Sequence, residues 1–281
     1  MRILVTGASG FIGSYVMKCC PEPYYPIPLG RTQERKGVTA DLLSLNDKDL
    51  LELFEKHQIG GIIHLAAEGN MSVCERSTEA YSLNVGVTKR LVLAAKRRNL
   101  PIIFSSTDQV FCGEEGLLYE STPPSPCHKY GQQKLEAEHI VLHYAKGLVL
   151  RLPLVLGLHK TGKGSLETML SQGRQHGSLN MFVDEFRRPT HSIDVAKALW
   201  EALGWPPGIY HISGPKLMSR MEMAEEITSA LKEHTIQLIP TFQREQSFGY
   251  KRPSRLDLVS HKSEVQELGI PSVLQNIHKI A

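Results

Sequence analysis

The sequence predicts an α/β protein built on one doubly wound parallel sheet, with a smaller, discontinuous C-terminal cap. Two observations carry this. Short apolar runs alternate with stretches of helical period from residue 2 to about residue 157. Beyond that point the rhythm loosens, then returns once as a single helix–strand pair. Strand alternating with helix implies parallel pairing, because each crossover helix returns the chain to the same sheet end.

Taken in order, residues 2–7 (RILVTG) read as a buried strand, followed by a helix from about Phe11. Residues 24–30 (YYPIPLG) are strand-like despite their prolines. Residues 46–57 form an amphipathic helix with Asn46 as its N-cap. A strand at 61–67 (GIIHLAA), a long helix at 81–98, a strand at 100–106, a helix at 130–145 and a strand at 147–157 follow. The returning pair is a helix at 187–203 and a strand at 206–214. This divides the chain into a sheet domain, 1–157 with 187–214, and a substrate-binding cap, 158–186 with 215–281.

Composition narrows the function classes. The 281 residues include 22% charged side chains and carry a net charge of +3, too little to imply nucleic acid. The cluster Lys96, Arg97, Arg98 reads as a solvated helix end. Five cysteines, odd in number and without C-x-x-C spacing, point to a reducing compartment and to neither a disulfide framework nor a metal site. Cys112 and Cys127 flank the site discussed below and read as packing residues. The strand beginning at Arg2 leaves no room for a signal peptide, and no apolar run is long enough to span a membrane. A cytoplasmic location is the expectation.

In TGASGFIG, Gly7, Gly10 and Gly13 follow the first strand and open the first helix. Glycines at this spacing let backbone amides approach a pyrophosphate at a helix N-terminus, the arrangement of a Rossmann fold. Where the second strand ends, an NAD site usually presents an acid to the ribose. This chain has Gly30 and Arg31, then Arg35 and Lys36. A guanidinium there suits a 2′-phosphate, so NADP(H) is favoured over NAD(H).

Tyr130 and Lys134 form Y-x-x-x-K at the start of a helix, four apart and therefore on one face. An ammonium beside a phenol favours phenolate and brings the hydroxyl toward neutral-pH acid–base work. The pair lies downstream of a strand ending in SSTD, where a doubly wound sheet opens its crevice.

T-G-x-x-G-x-x-G, HLAA, LNV, SSTDQVF and YGQQK, in this order, resemble the extended short-chain dehydrogenase/reductase family across nearly the whole chain. STDQVFCG, YESTPPSP, LRLPLVLG and RRPTHSIDVA are most similar to its dTDP-4-dehydrorhamnose reductase branch, which also includes the regulatory β subunit of methionine adenosyltransferase. The resemblance implies that Thr107 binds the substrate oxygen, Tyr130 is the acid/base, and Lys134 holds ribose and lowers the tyrosine pKa. It implies that Asp41 and Leu42 lie by the adenine and that Ala66 and Ala67 line the cofactor path. Ser9, Phe11, Ile12, Leu65, Ser105 and Pro153 also fall along the cofactor, Asn84 supports the site from its helix, and His64 is structural. Asp108, Gln109, Arg188 and Arg252 fall on the substrate side. Lys160, Lys163, Arg187, Lys251 and Arg255 are further cations for a diphosphate.

The expected activity is NADP(H)-dependent reduction of the 4-keto group of a nucleotide-activated deoxysugar. A cofactor-retaining epimerase and a non-catalytic NADP-binding subunit are the alternatives, and a homodimer is one expectation for assembly. Members of this branch often carry an aromatic residue at the position of Gln109 and an acid at that of Cys112. The related dehydratases place a glutamate base at the former, and an amide has no comparable basicity, so Gln109 speaks against dehydration.

Overall fold

In the computed structural model, residues 1–31, 37–113, 116–158 and 164–273 are described. Strands β1 (Arg2–Thr6), β2 (Tyr25–Gly30), β3 (Val38–Thr39), β4 (Ile59–His64), β5 (Ile102–Thr107) and β6 (Gly147–Leu152) join a last strand, Gly208–His211, in one seven-stranded sheet. Its order is Gly208–His211, β6, β5, β4, β1, β2, β3, and every pairing is parallel. The order runs outward from β1 in both directions, which is the doubly wound topology.

Successive residues of a strand face opposite sides, so a strand buried on both faces reads as unbroken apolar sequence. In β1, Leu4 enters one core with Phe54, Leu91, Phe104 and Val149. Its neighbours Ile3 and Val5 enter the other with Val16, Leu150 and Trp200. The first core lies under α2 (Asp47–Lys56), α5 (Thr88–Arg98) and α6 (Lys129–Leu142). The second lies under α1 (Phe11–Lys18) and the helix Ser192–Glu201. Short helices α3 (Met71–Cys74) and α4 (Thr78–Tyr81) precede α5.

Asn46 caps α2 as expected, its side chain accepting from the Lys48 and Asp49 N–H groups at 2.8 and 3.0 Å while the Asn46 N–H donates to Asp49 Oδ2. Basic residues end α5 before Asn99 in the left-handed conformation, and Arg98 reaches Glu55 at 2.7 Å. The prolines of β2 sit two apart, so both missing donors fall on one side, and β3 covers that strand only from Leu29.

Three elements differ from expectation. The stretch 81–98 is not one α-helix, because a π-helical turn, Ser82–Val87, precedes α5 and turns the Asn84 side chain into the interior. The strand expected at 147–157 stops at Leu152, ahead of Pro153, which has no N–H to continue the ladder; Val155–Leu156 pairs with Thr190–His191. The helix expected from 187 begins at Ser192, since Phe186–Arg187 and Thr190–His191 on either side of Pro189 are extended.

Around these lie features the periodicity did not reveal. Ser178–Phe182 pairs in parallel with Gln237–Thr241, and Phe186–Arg187 is the middle of a three-stranded sheet with Met218–Ser219 and Arg255–Leu256. Leu156, Leu166, Leu170, Met223, Ile227 and Ile236 pack between the helices Ser165–His176 and Arg220–Ala230. Among the described residues no helix is long and apolar enough to cross a membrane.

A buried ion pair fastens α6 to the sheet. Glu138 and Arg151 are both essentially inaccessible, with Arg151 Nη2 donating to Glu138 Oε2 at 2.7 Å and Nε to Oε1 at 3.0 Å. Ser106 of β5 donates to the same carboxylate at 2.5 Å. Arg151 Nη1 lies 3.3 Å from His211 Nε2, extending the network to the last strand. Glu138→Ala should therefore strand a buried guanidinium and cost about 3–5 kcal/mol of unfolding free energy, read from urea denaturation. Adding Arg151→Met should recover part of it; a double variant worse than the single one would contradict this account.

Candidate active site

β1 delivers the chain into Gly7 at φ 67°, where a Cβ would stand 2.8 Å from the Ala66 nitrogen. At Gly13 a Cβ would meet the Gly7 carbonyl at 2.1 Å. Gly10 is the N-cap of α1 and, having no side chain, supplies no cap of its own at the positive end of that helix. Above it lies a groove of about 460 Å³, lined among others by Gly7, Ser9, Gly10, Arg31, Asp41, Leu42, Leu65, Ala66 and Ala67. A glycine cradle at a helix N-terminus fits a dinucleotide pyrophosphate. Of the other expected cofactor residues, Phe11, Ile12 and Gly13 form the first turn of α1, and Pro153 is buried just beyond β6. Arg35 and Lys36 lie outside the described residues, as do Lys160 and Lys163.

One of the two supports of this groove, Arg90, was not read from the sequence. Arg90 on α5 donates to the Leu42 and Leu45 carbonyls at 2.9 and 2.7 Å, pinning the loop beside Asp41, whose own Oδ1 accepts from Leu43 N. His64, expected to be structural, is wholly buried between Thr6 Oγ1 at 2.7 Å and Thr88 Oγ1 at 3.0 Å. Burial lowers its pKa to about 3, which keeps the ring neutral.

The end of β5 and the start of α6 bring Thr107, Tyr130 and Lys134 together. Lys134 Nζ donates to the Ser105 carbonyl at 2.6 Å and sits 3.9 Å from the centre of the Phe104 ring. Burial lowers its pKa to about 7 against the opposing pull of Glu138. Tyr130 moves the other way: burial raises its pKa first, the Asp108 charge adds, and the Thr107 hydroxyl opposes. The expected lowering of the phenol by Lys134 is not found: Lys134 is not among the groups that shift the phenol, whose net displacement is upward. The phenol is held protonated.

Asp108 is buried, and burial raises its pKa against Arg187, whose Nε lies 3.6 Å from Oδ2. Its Oδ1 accepts from the Thr107 hydroxyl at 3.2 Å and from Gln109 Nε2 at 3.0 Å. Asn84 reaches α6 directly, donating to Gln133 Oε1 at 2.7 Å while its Oδ1 accepts from Glu68 N. Ser105 Oγ donates to the His64 carbonyl at 3.2 Å.

Beside the three-stranded sheet, Glu185 is fully buried and gathers three guanidinium groups, Arg220 at 2.9 Å, Arg252 at 2.8 Å and Arg187 at 3.4 Å. Two cavities of about 480 and 670 Å³ flank this cluster and share Arg252; Arg220 lines the larger. Arg188 is drawn elsewhere, with its Nε 2.5 Å from Asp257 Oδ1 and its Nη1 on the Pro215 carbonyl, and it lines neither cavity. Arg255 also pairs with Asp257, at 2.8 Å, and Lys251 lines the smaller cavity. Sequence reading missed Glu185 and Arg220. The former left a faint signal as an acid beside two arginines; the latter left none.

Residues 1–277 match the family model described as the RmlD substrate binding domain. The chain is 31% identical to methionine adenosyltransferase 2 subunit beta of Danio rerio, over 96% of this chain and 86% of that one. It is 26% identical to the spore coat polysaccharide biosynthesis protein SpsK of Bacillus subtilis strain 168, over 96% and 92% respectively. The dTDP-4-dehydrorhamnose reductase of Bacillus anthracis, solved with NADP, superposes with a TM-score of 0.84 at 22% identity, covering 99% of this chain and 98% of that one.

The buried ammonium has a stability signature. Because the Lys134 pKa falls from 10.5 to about 7 on folding, the unfolded chain binds more protons between those values, and stability rises with pH across that window. In cofactor-free protein, Lys134→Met should be the more stable form near pH 7, and its advantage should shrink toward pH 10.5. Urea unfolding of both proteins across that range checks this. A difference independent of pH would show that Lys134 titrates normally.

Proposed function

The chain belongs to the RmlD substrate binding domain family, and we propose that it is an NADP(H)-dependent reductase acting on the 4-keto group of a nucleotide-activated deoxysugar. The observation that carries this reading is the convergence of Thr107, Tyr130 and Lys134 at the ends of β5 and α6, on a fold whose first βα turn is a glycine cradle. A nicotinamide bound in the groove would supply the hydride that the carbonyl carbon accepts. Tyr130, kept protonated by burial, gives its proton to the oxygen, so that C=O becomes CH–OH. Thr107 orients that oxygen, and the Lys134 charge stabilises it as negative charge develops.

Arg31 lies in the groove near the end of β2, where it favours a 2′-phosphate. Segments 158–186 and 215–281 serve as the cap. There Arg220 and Arg252 replace Arg188 as the cations best placed for a substrate diphosphate. Gln109 offers no base for dehydration, and epimerisation remains the nearest alternative chemistry.

The similarity to methionine adenosyltransferase 2 subunit beta favours a second reading, a subunit that binds NADP and docks on a partner enzyme. NADPH oxidation with a dTDP-4-dehydro-6-deoxysugar separates the two. Under the reductase reading, turnover occurs and Tyr130→Phe lowers kcat by about 10²–10⁴ with cofactor affinity retained. Tight NADPH binding without turnover, together with co-purification of a partner enzyme, would establish the second reading. Under either, Arg31→Ala should weaken NADPH about ten- to a hundredfold while leaving NADH nearly unchanged, measured by titration calorimetry.

A further inference from the structure

Gln109 and His128 tie together the two elements that carry the candidate catalytic groups. His128 is 3% exposed and caps α6, its Nδ1 accepting from the Gly131 N–H at 3.1 Å. That leaves the ring proton on Nε2, which faces Gln109 Oε1 at 3.1 Å. The amide orientation follows, with its Nε2 donating to Asp108 Oδ1 at 3.0 Å, the oxygen that also accepts from Thr107. The His128 ring lies nearly parallel to that of Tyr130, 12° between planes with centroids 6.2 Å apart, while Tyr250 meets it edge-on at 6.0 Å. At Gly131 a Cβ would stand 2.2 Å from the Gln109 carbonyl, so the main chain of residue 109 is pressed against the first turn of α6.

We propose that His128 is a positioning residue for Tyr130, and that Gln109 must be an amide because it accepts from His128 at one end and donates to Asp108 at the other. The kinetic consequence rests on the reductase reading; the ring placement does not. A carboxylate at 109 has no donor for Asp108 and sets a second anion beside it. It also draws a proton onto the imidazole, whose Nδ1 then becomes a donor facing the Gly131 N–H, and the cap is lost. The charged and titratable groups around the ring are Lys129 and Tyr130 of α6, Asp108 of the preceding turn, Glu75 beyond α3, Arg187, and Tyr250 and Arg252 of the cap. Burial is the largest influence and lowers the His128 pKa; Glu75 and a backbone hydrogen bond oppose it, while Arg187 and Arg252 reinforce it.

The test uses ring-nitrogen chemical shifts of ¹⁵N-histidine-labelled protein together with kinetics. In the parent, His128 should carry its proton on Nε2, with Nδ1 bare, at neutral pH. In Gln109→Glu both nitrogens should be protonated at neutral pH. His128→Asn keeps an acceptor for the Gly131 N–H but removes the ring, so it should retain the thermal stability that His128→Ala loses. Its kcat should nonetheless fall about ten- to a hundredfold, with KM and NADPH affinity little changed. A parental proton on Nδ1, or parental kcat in His128→Asn, would overturn the proposal. Should neither parent nor variants reduce the ketosugar, the reductase reading fails, and the ring-nitrogen shifts alone decide the placement.

Discussion

Helix α6 is registered on β5 and the turn after it by one close backbone approach and two sets of polar contacts at successive turns, and the rest of the site depends on that registration. The first turn presses Gly131 onto the Gln109 carbonyl, the second hands the Lys134 ammonium to Ser105, and the third locks Glu138 between Ser106 and Arg151. Apolar packing alone would allow a helix to slide or roll on a sheet by fractions of a turn, since dispersion and burial are weakly directional. Hydrogen bonds to main-chain and buried side-chain oxygens are directional, so these contacts remove the freedom. A functional side chain must be held within about half an ångström of its working position, and this is the kind of support that can deliver it.

That support has an electrostatic consequence. The same burial that registers the helix desolvates Lys134 and Tyr130 together, lowering one pKa and raising the other. Their titration ranges are thereby pushed apart and inverted, so the phenol is the more tightly protonated of the two. A charge placed between them acts where water screens it little.

Much of this was legible in the residues. Alternation of apolar runs and helical period located six of the seven sheet strands, because strands buried on both faces read as mostly apolar runs. Only the two-residue β3 escaped. Gly7, Gly10 and Gly13 announced their turn through a steric demand that is local to the chain, and Tyr130 and Lys134 announced their face through helical spacing. What stayed illegible depends on partners distant in sequence. Glu185 matters because Arg220 and Arg252 fold onto it from 35 and 67 residues away. Arg188 looked like a ligand until Asp257 claimed it, and the π-helical turn at Ser82–Val87 leaves no mark in apolar periodicity. The identity of residue 109 was visible, but its reason required knowing that His128 stands across from it.

Read end to end, Asp108, Arg187, Glu185 and Arg252 form a file of alternating charges from the tip of β5 to the wall shared by both cap cavities. Its interior members have no water to fall back on. A change of sign at either would leave two neighbours unmatched at once, so viable sequences must alter the interior in compensating pairs or not at all. Arg252, partly exposed at the far end, carries no such burden. Substitution is therefore tolerated more readily at that terminus and along the aromatic walls beside it than in the middle of the file.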